Sequence, residues 1–148
     1  NPDIKLHMLG KLQTNKVKFA LRIFDYIHSL DSEKLARKIS DEQNKNNKSL
    51  KFFIQINIGE EKQKSGIDKD NLIDFYNYCK KLNLNIIGLM CIPPADYDSI
   101  KYFEIMRYLS NLINLKELSM GMSSDYIKAA TNSSTYLRIG TSIFGKRY

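Results

Sequence analysis

Two patterns alternate along the chain. Short runs with apolar residues at every second position are each followed by a run with apolar residues at every third or fourth, the signatures of strand and helix. Residues 6–9 read as a strand, and residues 15–24, with Val17, Ala20, Leu21 and Phe24 on one stripe, as a helix. Tyr26–Leu30 reads as a second strand, after which Asp31 or Ser32 caps a helix holding Leu35, Ala36 and Ile39. Residues 51–58 form the strongest strand. Its Phe52, Ile54, Ile56 and Ile58 point one way and Phe53, Gln55 and Asn57 the other, so polar groups enter one face near the carboxyl end. A helix striped by Leu72, Phe75, Tyr76, Cys79 and Leu82 leads into a strand over 85–92, ended by Pro93-Pro94. Ile100, Phe103, Met106, Leu109 and Ile113 stripe the next helix. Residues 118–145, LSMGMSSDYIKAATNSSTYLRIGTSIFG, hold two more short strands, each running into a helix start rich in Gly, Ser and Thr.

Six strand-helix units in a row imply a parallel sheet with helical crossovers, the α/β class. An open doubly wound sheet uses all six units as they stand; an eight-unit barrel needs two more. At roughly 25 residues per unit, eight would take on the order of 200. The chain begins with Asn1-Pro2, as a trimmed product would, and two units missing from the front would make the closing pair strands seven and eight. Barrels most often hold phosphate in the loops after those two strands. The place of the Ser/Gly/Thr turns therefore favours a truncated barrel, with residues 1–148 as one partial α/β domain.

Composition narrows the field. With 43% hydrophobic and 26% charged residues, the chain has enough apolar surface to bury a core. The net charge of +7 raises nucleic acid as a partner, but the lysines are interleaved with Asp and Glu, so a plain basic surface is expected instead. No apolar run approaches the roughly 20 residues of a membrane span, and no basic-then-apolar leader is visible; a soluble, cytoplasmic protein is expected. Cys79 and Cys91 have neither metal-ligand spacing nor disulfide density and read as reduced core thiols.

The two closing turns carry the candidate chemistry. Helix starts leave backbone N–H groups unpaired and carry partial positive charge, so two converging starts with Ser123, Gly140 and Thr141 suit a phosphate. Arg138 shares a strand face with Tyr136 and Gly140 and points toward that nest, where a cation wants an anion or an acceptor. His7 and Gly10, Ser29 and Asp31, Asn57 and Ser119 also sit at strand ends, where barrel sites lie. His7 reads as a hydrogen-bonded structural residue and His28 as packing beside Tyr26 and Ile27. For Asn57, a site role and a bond to backbone weigh evenly.

His7-Met8-Leu9-Gly10-Lys11-Leu12-Gln13-Thr14-Asn15-Lys16, Gln55-Ile56-Asn57-Ile58 with Lys64-Ser65-Gly66, Gly88-Leu89-Met90-Cys91-Ile92-Pro93 and LSMGMSSD…STYLRIGTSIFG together resemble the pyridoxal phosphate homeostasis protein family. The resemblance spans the whole chain. It implies an alanine-racemase-like TIM (β/α)8 barrel, of which this chain holds roughly the last six units, and binding of pyridoxal 5′-phosphate (PLP) with no established turnover. It also implies that Ser123, Gly140 and Thr141 hold the phosphate and that Arg138 faces the pyridine nitrogen and keeps it unprotonated. Met122, Asn57 and His7 complete the expected cofactor-binding set; no catalytic or metal-ligating residue is expected.

Departures from the family pattern carry their own expectations. The family's Schiff-base lysine lies on a first barrel strand with no counterpart here, and neither Lys11 nor Lys16 replaces it, so weak, non-covalent binding is expected. Ser133 stands where the family has Gly, at a cost of roughly 1 kcal/mol if that site is left-handed. Ala130 replaces a usual Ile and reads as a smaller core side chain. Six strands leave two sheet edges unpaired, so marginal stability is expected unless a separate segment or another chain completes the barrel. A racemase-like enzyme, which would need a second base, and a generic phosphate or nucleotide binder are the alternatives.

Overall fold

Parallel strands cannot be joined by tight turns, and the chain meets that constraint by placing a helix after each strand. The computed structural model describes residues 1–62, 64–95 and 98–148. Its strands β1 (His7–Met8), β2 (Tyr26–Leu30), β3 (Lys51–Ile56), β4 (Asn85–Cys91), β5 (Glu117–Met122) and β6 (Tyr136–Arg138) lie side by side in chain order, every pair parallel. Between and after them run α1 (Val17–Ile23), α2 (Glu33–Asn46), α3 (Leu72–Lys81), α4 (Ser99–Leu112), α5 (Tyr126–Thr131) and α6 (Thr141–Phe144). The sheet is curled into a half-barrel. His7 on β1 and Tyr136 on β6, at opposite edges of the sheet, bring their rings to within 5.9 Å of each other, centroid to centroid.

Alternation along the strands sorts two cores. Phe52, Ile54 and Ile56 of β3 join Leu89 and Leu118 against the helical stripes of Val17, Leu21, Ile39, Leu72, Cys79, Phe103 and Met106, all buried. Each such side chain contributes about 1.5–3 kcal/mol through removal from water. On the concave face Phe53 is also fully buried, and its ring stacks on His28 at 4.3 Å. Rings from β1, β2, β3 and β6 thus occupy the inside of the curl. Among the described residues, no helix is long and apolar enough to cross a membrane.

Local details settle several expectations. Ser32 is the cap of α2, its Oγ accepting the Leu35 N–H at 3.1 Å, while Asp31 instead accepts the Gly66 N–H at 3.0 Å. β3 stops at Ile56 rather than 58, and beside its end Ile67 exchanges backbone hydrogen bonds with Gln55 and Asn57. Ala130 is exposed, against the expectation of a core position; Ala129 is the buried neighbour. α5 has only six residues, too few turns for spacing to set its phase. Ser133 has φ 75, within the left-handed region, where a Cβ costs about 1 kcal/mol. Gly121, at φ 101, ends β5 so tightly against α5 that an added Cβ would come within 2.6 Å of the Ala129 Cβ. Both cysteines are free and buried, and burial pushes each thiol up to about 12.

Candidate functional site

The carboxyl ends of β1, β5 and β6 open into a cavity of about 1030 Å³. His7, Met122, Ser123, Arg138, Gly140 and Thr141 all line it. Asn57 stands apart. Its amide donates to the Glu61 carbonyl at 2.8 Å and accepts the Glu61 N–H at 3.3 Å, so local backbone takes up the polar group.

The two closing turns meet at one atom. Ser123, just after β5, accepts on its Oγ both the Gly140 and the Ser142 backbone N–H, each at 3.2 Å. Asp125 holds the first turn by accepting the Met122 N–H at 2.8 Å. Thr141 heads α6, where opening N–H groups have no intrahelical acceptor. One hydroxyl and two amides from two separate strand ends thus meet beside the cavity, groups of the kind that bind an anion.

Arg138 is placed by β6 and anchored at two corners. Nη1 donates to Ser119 Oγ at 2.7 Å and Nη2 to the Cys91 carbonyl at 2.8 Å. Burial holds its pKa below the ordinary value, with Cys91 and Asp125 acting in the opposite direction. Among the described residues Arg138 forms no ion pair. A cation that has lost much of its water and has no carboxylate partner is set to receive an acceptor from the cavity. Leu9, Ile92 and Leu137 add apolar surface to the same cavity. One cavity thus holds donors suited to an anion and a guanidinium with donors to spare for an acceptor.

Sequence reasoning read His28 as packing only, without a polar role. It is 1% exposed and lines the same cavity; its Nε2 lies 2.9 Å from His7 Nδ1 and its Nδ1 2.7 Å from Ser119 Oγ. The available signal was its alternation with Tyr26, which puts it on the concave face; the partner, Ser119, is 91 residues away. Tyr136 was named only as a strand neighbour of Arg138. It meets the rings of His7, His28 and Phe53, and burial, with a hydrogen bond to Tyr26, pushes its hydroxyl up to about 12.

Burial, together with the nearby His7 and Arg138, depresses His28 from 6.5 to about 3. An unfolded imidazole takes up a proton near 6.5, so the unfolded chain binds more protons between those values. The stability contributed by neutral His28 is complete above about pH 7 and is lost progressively as the solution is acidified toward 3. At pH 5 single-site linkage gives a loss of about 2 kcal/mol. His7, also depressed mainly by burial, acts in the same direction. Urea midpoints taken at pH 7.5 and pH 5 should therefore fall on acidification, and the fall should shrink in His28→Phe. Equal midpoints for the unsubstituted protein would refute the assignment.

The family model of the alanine racemase N-terminal domain matches residues 2–148. A pyridoxal phosphate homeostasis protein from Aquifex aeolicus is 39% identical over 155 residues, covering 98% of this chain and 68% of the relative. The structure of PipY from Synechococcus elongatus solved without PLP superposes with a TM-score of 0.92 at 34% identity, covering 98% of this chain and 73% of that one. The same protein with PLP bound gives 0.87, also at 34% identity, over 97% and 72%. The chain thus spans about two thirds to three quarters of the length of these relatives.

Proposed function

This chain belongs to the alanine racemase N-terminal domain family, and from that membership we propose that it binds pyridoxal 5′-phosphate as a cofactor-holding and cofactor-handling protein of the cytoplasm. The observation that carries the reading is the convergence of the Gly140 and Ser142 amides on Ser123 Oγ, in the same cavity as a guanidinium anchored at two corners. Ser123, Gly140 and Thr141 hold the phosphate, Arg138 meets the ring nitrogen, and His7 and Met122 form wall.

PLP, when bound, supplies an electron sink through its pyridine ring. Arg138 donates to the ring nitrogen but is too weak an acid to protonate it, so the chain's own residues restrain that chemistry and favour a role without turnover. The outer edges of β1 and β6 are where two further strand-helix units, from a longer chain or a separate one, join to complete an eight-unit barrel.

Absorbance titration of the purified protein with PLP, alongside pyridoxal and a nucleotide, tests the reading. Saturable binding of PLP is expected, weaker binding of pyridoxal, and no competition by the nucleotide. Nucleotide binding without PLP binding would favour a generic phosphate site. Amino-acid racemisation that Arg138→Ala abolishes would overturn the role without turnover.

A further inference from the structure

Counting protons along the buried polar chain behind the cavity gives it a direction. Arg138 Nη1 can only donate, so at 2.7 Å it occupies one lone pair of Ser119 Oγ. Ser119 is fully buried and has one proton to place. His28 Nδ1, at 2.7 Å, can receive it. His28 then carries its own proton on Nε2 and donates to His7 Nδ1 at 2.9 Å, which leaves the His7 proton on Nε2. In the reverse order, His28 Nδ1 would donate to Ser119, and the serine proton would find no acceptor among the described residues, in a place closed to water. A doubly protonated His28 fails in the same way. Only the order that starts at Arg138 leaves each of these buried groups paired.

We propose that neutral His28 is a positioning residue: by accepting the Ser119 hydroxyl proton it orients the serine oxygen toward Arg138 Nη1 and so aims the remaining guanidinium donors into the cavity. The inference deepens the PLP-binding reading and rests on it for the identity of the ligand. His28 itself needs no contact with the ligand. Its ring is wedged against Phe53, and its effect passes through two hydrogen bonds. The Cys91 carbonyl pins the opposite corner of the guanidinium, so loss of the Ser119 contact leaves Arg138 free to pivot about the remaining one.

Nitrogen-15 NMR of the ligand-free protein reads the relay without any cofactor. His28 should show an unprotonated Nδ1 and a protonated Nε2, and the Arg138 Nη protons should be resolved, as for a guanidinium with hindered rotation. His28→Phe keeps a ring against Phe53 but removes the acceptor. The Arg138 Nη signals should then average, and PLP affinity should fall roughly three- to tenfold, the effect of one hydrogen bond. His28→Asn, whose amide oxygen can stand where Nδ1 stands, should restore both. Ser119→Ala gives the same loss by a second route should His28→Phe not fold. A proton on His28 Nδ1, or Arg138 signals and PLP affinity unchanged in both His28→Phe and Ser119→Ala, would overturn the relay. A protein with the expected NMR signature that does not bind PLP would keep the relay and sink the ligand assignment; binding without the signature would do the reverse.

Discussion

Replacing Arg138 with alanine is expected to lower affinity for PLP by roughly ten- to a hundredfold, since a hydrogen bond from a charged donor is worth about 1.5–3 kcal/mol. The variant loses more than a ligand contact. The Cys91 carbonyl and one lone pair of Ser119 lose their donor at the same time. The change also removes the cost of keeping a guanidinium out of water, so folding stability should fall by less than binding does. Arg138→Lys keeps the charge but cannot reach both anchors with one planar group, and should recover only part of the affinity. Equilibrium dialysis at fixed ionic strength, with urea denaturation of the same samples, separates the two effects. An Arg138→Ala protein that binds PLP as tightly as the unsubstituted one would remove the guanidinium from the site.

Gly88→Ala is expected to destabilise the protein by about 3 kcal/mol, the upper end of the usual cost of overpacking. Gly88 on β4 is paired with Glu117 on β5, and a Cβ there would run into the Glu117 carbonyl oxygen and lie 2.6 Å from the carbonyl carbon. Both are backbone atoms, so the pair cannot relax by turning a side chain. It can only slide or spread, which disturbs the pairing of Met90 with Ser119 two residues further on. Site and sheet are thereby coupled. At roughly 2–4 °C per kcal/mol for a chain of this size, the melting temperature should drop by about 6–12 °C. Gly10, where an added Cβ meets nothing within 4 Å, serves as the control; Gly10→Ala should melt within about 2 °C of the unsubstituted protein. A Gly88→Ala protein matching that control would show that the two strands are less tightly apposed than described.

The elements that sequence patterns located best are those whose side chains are sorted by a long period. The Leu72, Phe75 and Cys79 stripe and the two faces of β3 follow directly from spacing, and the structure buries them accordingly. The convergence of Ser123 with Gly140 was also legible, because two short strands followed by turns rich in Gly, Ser and Thr repeat within a few residues. Elements with few turns or few residues gave no phase, as the exchange of Ala130 for Ala129 shows. Asn57 was ambiguous for a different reason. A polar residue at a strand end is equally compatible with a ligand and with the loop that follows, and here the loop takes both ends of the amide. His28, read as packing, is buried as that reading implies, but its hydrogen bonds were not legible. Alternation gives the face of a strand but not what lies across the barrel, and the hydroxyl that gives this histidine its place belongs to β5.

The same long separation has a consequence for biosynthesis. Ser119 and Arg138 reach the nascent chain well after His28, and Ser123 meets its two amide donors only when Gly140 and Ser142 have closed against it. An intermediate that holds β1 to β4 and their helices therefore still lacks the Ser123 and Arg138 donors of the proposed site. On the proposed reading, any stabilisation that a ligand gives through these donors is confined to chains in which β6 is already in place.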